Sequence, residues 1–123
     1  MAKILVIENE PNIQKMIEVN LAASGYEVLV ALDGELGLAV VQQEYPDLIL
    51  LDLRLPGISG WDVLASLKDR QKLREIPVIM MTASAQDDQE EKARLAGAAG
   101  YLLKPFTADE LMLNVKQSLE KRR

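Results

Sequence analysis

Four residues with usable chemistry stand at the ends of short apolar runs. Glu8 follows Ile4-Leu5-Val6-Ile7, Asp52 follows Leu48-Ile49-Leu50-Leu51, Thr82 follows Val78-Ile79-Met80-Met81, and Lys104 follows Tyr101-Leu102-Leu103. An Asp carboxylate can attack phosphorus and form an acyl phosphate, provided positive charge neutralises the phosphoryl oxygens. Lys104 offers a point charge for that purpose, and the Thr82 hydroxyl can donate to a phosphoryl oxygen. Two carboxylates brought together without a counter-ion repel, which raises a pKa and invites a hard divalent cation, magnesium being the natural one. Taken singly, each residue has a plainer reading: a solvated strand end, a strand-forming threonine, a surface lysine. Their shared placement at strand ends is what points to phosphoryl chemistry.

Composition narrows the alternatives. The 123 residues suit one ordinary domain, expected to span 1–123, and 49% hydrophobic with 27% charged residues is a globular balance. A net charge of -5 argues against a nucleic-acid surface as the main function. The chain has no cysteine, hence neither disulfides nor thiolate metal sites, and no histidine, which removes the commonest general base. Any metal must therefore sit on oxygen ligands. No apolar run approaches the roughly 20 residues of a membrane span, and the Met1-Ala2-Lys3 start lacks a signal-peptide pattern, so the expected compartment is the cytoplasm.

The elements that would position these residues follow from the pattern. Apolar, β-branched runs of four or five residues, bounded by turn residues, read as buried strands at Lys3 to Glu8, Tyr26 to Ala31, Asp47 to Asp52, Pro77 to Thr82 and Tyr101 to Lys104. Pro11 suits a first helical position, Ile13, Ile17 and Leu21 recur at helical spacing, and Gly25 ends that helix. A second helix is expected from Asp33-Gly34 to about Glu44, with Leu36, Ala39 and Val40 inward and Gly37 as a weak point. Ser59 and Asp62 have capping-box spacing ahead of Val63, Leu64 and Leu67, with Trp61 a half-buried packing residue able to report changes by fluorescence. A fourth helix, Asp87 to Ala96, has acids in its first turns and little apolar surface, so it should be held weakly. Thr107 with Glu110 caps a last helix whose Leu111, Val115 and Leu119 share a face.

Five strands alternating with five helices specify an α/β fold: a three-layer, doubly wound, five-stranded parallel sheet. In such sheets the ligand site lies beyond the strand ends, at the switch point. Strand order cannot be read from periodicity alone.

Over essentially its whole length, from Ile4 through the last helix, the chain resembles the receiver domains of two-component response regulators. The carrying motifs are the acids after the first strand, Leu50-Leu51-Asp52-Leu53-Arg54-Leu55-Pro56-Gly57, Met81-Thr82-Ala83 and Tyr101-Leu102-Leu103-Lys104-Pro105-Phe106. The resemblance implies a flavodoxin-like (βα)5 fold with strand order 2-1-3-4-5. It makes Asp52 the acceptor of a phosphoryl group from a histidine kinase or phosphotransfer protein. It places magnesium at Glu8, Asn9, Asp52 and the backbone carbonyl of Arg54, sets Thr82 and Lys104 on the phosphoryl group, lets Ala83 leave room for it, and makes Lys104–Pro105 a cis peptide. On phosphorylation Thr82 would move inward and Tyr101 would follow, switching the face of the fourth helix, fifth strand and fifth helix for a downstream effector. The implied module is not a turnover enzyme: its only covalent steps are self-phosphorylation and autodephosphorylation.

One position departs from the family pattern. Asn9 stands where a magnesium-binding acid is usual, so the site loses a full negative charge; losing even an outer partner commonly costs 10- to 100-fold in metal affinity, and a loss of at least about 10-fold is expected unless the Glu10 loop turns inward to compensate. Arg54 could reach over the pocket and pair with Asp52. These two features motivate an alternative, a receiver-like interaction domain that does not use phosphate. An aspartyl-phosphate hydrolase of the haloacid dehalogenase type is disfavoured because Arg54 stands where its second acid belongs, and a flavin-binding flavodoxin because only 4% of residues are aromatic.

Overall fold

The structure, a computed structural model, describes residues 1–83 and 89–121. The order is β1 (Lys3–Ile7), α1 (Pro11–Ala23), β2 (Glu27–Ala31), α2 (Gly34–Glu44), β3 (Leu48–Asp52), α3 (Gly60–Asp69), β4 (Val78–Thr82), α4 (Gln89–Leu95), β5 (Gly100–Leu103) and α5 (Ala108–Lys121). All neighbouring strands pair in parallel, in the order β2-β1-β3-β4-β5. That is the flavodoxin-like order, in which β2 is added on one side of β1 and β3 to β5 on the other, so the switch point lies between β1 and β3. No helix among the described residues is long and apolar enough to cross a membrane.

Burial on both faces explains why the central strands are unbroken apolar runs: every residue of β3 and β4 is buried. Strand alternation divides the core in two. Leu5, Ile7, Ile49, Leu51, Val78 and Met80 face Val41 of α2, Val63, Leu64 and Leu67 of α3 and Ala93 of α4. Ile4, Val6, Leu48, Leu50, Ile79 and Met81 face Ile17 and Leu21 of α1 and Leu111 and Val115 of α5. Side chains of this size each contribute roughly 1.5–3 kcal/mol when fully buried, so the sheet is the rigid part of the molecule.

The helix ends follow the capping chemistry. Ser59 and Asp62 form a reciprocal capping box, and Thr107 and Glu110 exchange the equivalent pair of bonds. Asp33 accepts the Leu36 N–H at 2.8 Å. Glu10 occupies the N-cap position of α1 but makes no side-chain cap bond.

Two expectations are corrected. The inward face of α2 is Gly34, Gly37 and Val41, whereas Leu36 and Ala39 are exposed and Val40 is half-buried. Gly37 is a close-approach residue, since a Cβ there would stand 2.5 Å from Ile7 Cδ1; absence of a side chain is what lets α2 lie on β1. In α4, described from Gln89, Ala93 is buried but Leu95 is 74% exposed, so the helix is held by even less than its sequence suggests. The expected start of that helix, Asp87 and its neighbour Asp88, lies outside the described residues, as do Arg122 and Arg123.

Candidate functional site

Parallel pairing sets the site. Asp52 is the last residue of β3 and Thr82 the last of β4, while Glu8 and Lys104 each follow the final residue of β1 and β5. Backbone bonds carry the pairing one step past the strands: Glu8 N–H donates to the Ala31 carbonyl at 3.1 Å, Leu53 N–H to Met81 at 2.9 Å and Lys104 N–H to Thr82 at 2.7 Å. All four residues therefore leave the sheet at one rim.

Lys104 is the hub of that rim. Its Nζ lies 2.7 Å from Glu8 Oε1, 3.3 Å from Asp52 Oδ2 and 3.8 Å from Glu10 Oε1. The Lys104 side chain is 9% exposed, and Glu8 is fully buried. Burial lowers the Lys104 pKa, but the hydrogen bond to Glu8 and the charges of Asp52 and Glu8 outweigh it and hold the ammonium above 10.5. Burial raises the Glu8 carboxyl above 4.5 against the opposing pull of Lys104 and the Glu10 N–H. The site is thus an acid pair with an internal counter-ion.

Backbone and side-chain donors fix the acids. Asp52 Oδ1 accepts the Arg54 N–H at 3.2 Å, Glu8 Oε2 accepts the Glu10 N–H at 3.0 Å, and Gln14 Nε2 donates to the Glu8 carbonyl at 2.9 Å. Gly60 packs directly on the Asp52 carbonyl, and a Cβ there would also stand 2.7 Å from Leu53 Cα. The Gly60 N–H donates to the Leu53 carbonyl at 3.0 Å, closing the loop beyond β3. Neither Gln14 nor Gly60 was singled out by sequence reasoning. Gln14 carries no signal at all, and Gly60 only the weak one of a glycine directly after a cap serine.

Arg54 is exposed, and its guanidinium pairs with no carboxylate among the described residues, Asp52 included. Its main chain, not its charge, serves the acceptor. A cleft of about 160 Å³ opens over Asp52, lined by Asn9, Glu10, Asp52, Arg54, Ala83 and Lys104. A more apolar hollow of about 330 Å³ adjoins it, with Ile13, Met16, Pro105 and Phe106 in its wall. Lys104–Pro105 is a cis peptide. Thr82 is 2% exposed and, by alternation, shares the α3 and α4 face of the sheet with Met80 and Tyr101. Tyr101 lies on the edge strand, half-buried.

Whether these residues suit a divalent cation can be judged from their oxygens. Glu8 Oε1 is buried with the Lys104 ammonium 2.7 Å away, so this oxygen already faces one positive charge. Among the described residues no three acids stand together as a ready metal cage. The carboxylates of Glu8 and Asp52 and the amide of Asn9 are hard oxygen donors, the type a divalent cation takes.

Residues 4–116 match the family model of the response regulator receiver domain. The chain is 38% identical over 121 residues to the DNA-binding dual master transcriptional regulator RpaA of Synechocystis, covering 98% of this chain and 50% of that protein. It is 35% identical over 116 residues to the polar-differentiation response regulator DivK of Brucella ovis, covering 94% of each. It thus spans about half the length of relatives such as RpaA and nearly all of DivK. Among solved structures, a response regulator receiver domain protein from Clostridium thermocellum superposes with a TM-score of 0.90 at 31% identity, over 99% of this chain and 97% of that one.

Proposed function

The chain belongs to the response regulator receiver family, the phosphoacceptor domains of two-component signalling, and from that premise we propose that Asp52 is its acceptor. Receivers are in general signalling modules rather than turnover enzymes. The observation that carries the assignment is Lys104 Nζ, 3.3 Å from Asp52 Oδ2 at the floor of an open cleft.

In the proposed reaction an Asp52 carboxylate oxygen attacks the phosphorus of a donor phosphohistidine. The new O–P bond forms as the N–P bond breaks, and the electron pair stays on the leaving nitrogen of the donor ring, which already carries a proton on its other nitrogen and so departs as neutral imidazole. Lys104, already charged, turns toward the incoming phosphoryl oxygens, and the Thr82 hydroxyl donates to another. Ala83 leaves the space this group needs. Glu8, Asn9, Asp52 and the Arg54 carbonyl would hold magnesium, which when bound would supply the remaining positive charge. The donor is a histidine kinase or phosphotransfer protein, for which the apolar hollow beside the cleft offers a place to approach. The output is a shift of Thr82 and Tyr101 that changes the α4, β5 and α5 face presented to an effector protein or domain. Self-phosphorylation from small donors and autodephosphorylation are the only covalent steps proposed. Residues 1–123 are read as one receiver unit working in the cytoplasm. The phosphate-independent alternative is not favoured: Arg54 does not block Asp52, and the oxygen donors remain.

Incubation with acetyl phosphate and magnesium tests this. Intact-mass spectra should show one added phosphoryl group on the wild type and none on Asp52→Ala; an unlabelled wild type, or equal labelling of both, would reject Asp52 as acceptor.

A further inference from the structure

The cleft contains an acid that the metal-binding pattern does not include. We propose that Glu10 supplies the negative charge missing at Asn9, acting as a positioning residue that holds a divalent cation through its hydration shell. This rests on the receiver reading and assigns a residue to its cation site.

The local backbone aims Glu10 at the site. Its N–H is bonded to Glu8 Oε2 at 3.0 Å, and Pro11 follows, confining it to the extended conformation observed, φ -85° and ψ 117°. At the N-cap of α1 a short polar side chain would bond back to the helix, but the Glu10 carboxylate makes no such bond. It lies along the cleft instead, with Oε1 3.8 Å from Lys104 Nζ. The Glu10 side chain is 65% exposed, and no three acids close into a cage, so the contact with a cation is through water rather than direct.

Charge gives the reason. A divalent cation together with Lys104 carries one positive charge more than Glu8 and Asp52 can balance. Asn9 contributes none, and Glu10 removes the excess.

Calorimetric titration of magnesium into the phosphate-free protein at fixed ionic strength separates the outcomes, using wild type, Glu10→Gln, Glu10→Asp, Asn9→Asp and the Asn9→Asp/Glu10→Gln double variant. Glu10→Gln should weaken magnesium about 10-fold, the low end for loss of an outer partner. Glu10→Asp should retain most of the affinity, and the double variant should recover at least wild-type affinity. Melting temperatures without metal should stay together, which excludes a merely structural role. Magnesium bound within twofold by wild type and Glu10→Gln would overturn the role of Glu10 and leave the receiver reading standing. Magnesium bound by none of the five proteins would overturn both.

Discussion

The Lys104 ammonium lies 2.7 Å from the Glu8 carboxylate, a charge pair joining opposite ends of the sequence and almost sealed from water. Breaking a buried pair from one side leaves the other charge uncompensated. Lys104→Met should therefore destabilise the metal-free protein by about 3 kcal/mol, within the range for buried pairs. Added magnesium should recover more stability in this variant than in the wild type, because it replaces the lost counter-ion. Urea unfolding with and without magnesium checks both statements; a variant as stable as wild type would refute the first.

The same pair fixes a pH dependence. Lys104 holds its proton above the ordinary 10.5, so the folded state binds it more tightly than the unfolded chain does. The stability it contributes is fully present below pH 10.5 and is lost as pH rises through the folded value. The gap in urea midpoint between wild type and Lys104→Met should be constant from pH 8 to about 10 and narrow above 10.5.

Gly60 supports the acceptor from below. Gly60→Ala would force a methyl group onto the backbone of Asp52 and Leu53, atoms that cannot yield as a flexible side chain would. A loss of about 3 kcal/mol is expected, at the upper end for overpacking. Amide signals of residues 52 to 54 should shift in an NMR spectrum of whatever fraction folds, and an unchanged melting temperature would show that the loop has slack.

Thr82 and Tyr101 share one face of the sheet on adjacent strands, which is what a coupled movement requires. With beryllium fluoride and magnesium as the phosphoryl mimic, Tyr101 should become more buried in the wild type and stay put in Thr82→Ala, although Asp52 binds the mimic in both. Tyrosine ring resonances or a crystal structure would report this. A Tyr101 unmoved in the wild type sinks the switch.

Trp61 offers an optical readout. Lys92 of α4 places Nζ 4.7 Å from the centre of its ring, a contact worth about 0.5–1 kcal/mol at an exposed site that ties α4 to α3. The phosphoryl mimic should change Trp61 emission in the wild type, and Lys92→Ala should shift the resting emission while diminishing that change.

Much of this molecule is legible in one dimension. The apolar runs of β1, β3 and β4 declare strands buried on both faces, and the cap residues Ser59 and Thr107 begin their helices as their chemistry requires, because these features depend on neighbours a few residues away. That Glu8, Asp52, Thr82 and Lys104 end their strands is likewise local, and parallel pairing converts it into a shared rim. What only the tertiary structure decided is distance and direction across that rim. The inward face of α2 turned out to be Gly34, Gly37 and Val41, because Ile7 on another element lies so close to Gly37 that a Cβ there would stand 2.5 Å from it. Arg54 gives Asp52 its main-chain N–H while its side chain stays in solvent, and Glu10 leaves its helix uncapped to approach Lys104. Residue type limits what a side chain can do, but its partners are set by how far the strands lie apart and which way each loop leaves them, quantities that no local pattern encodes.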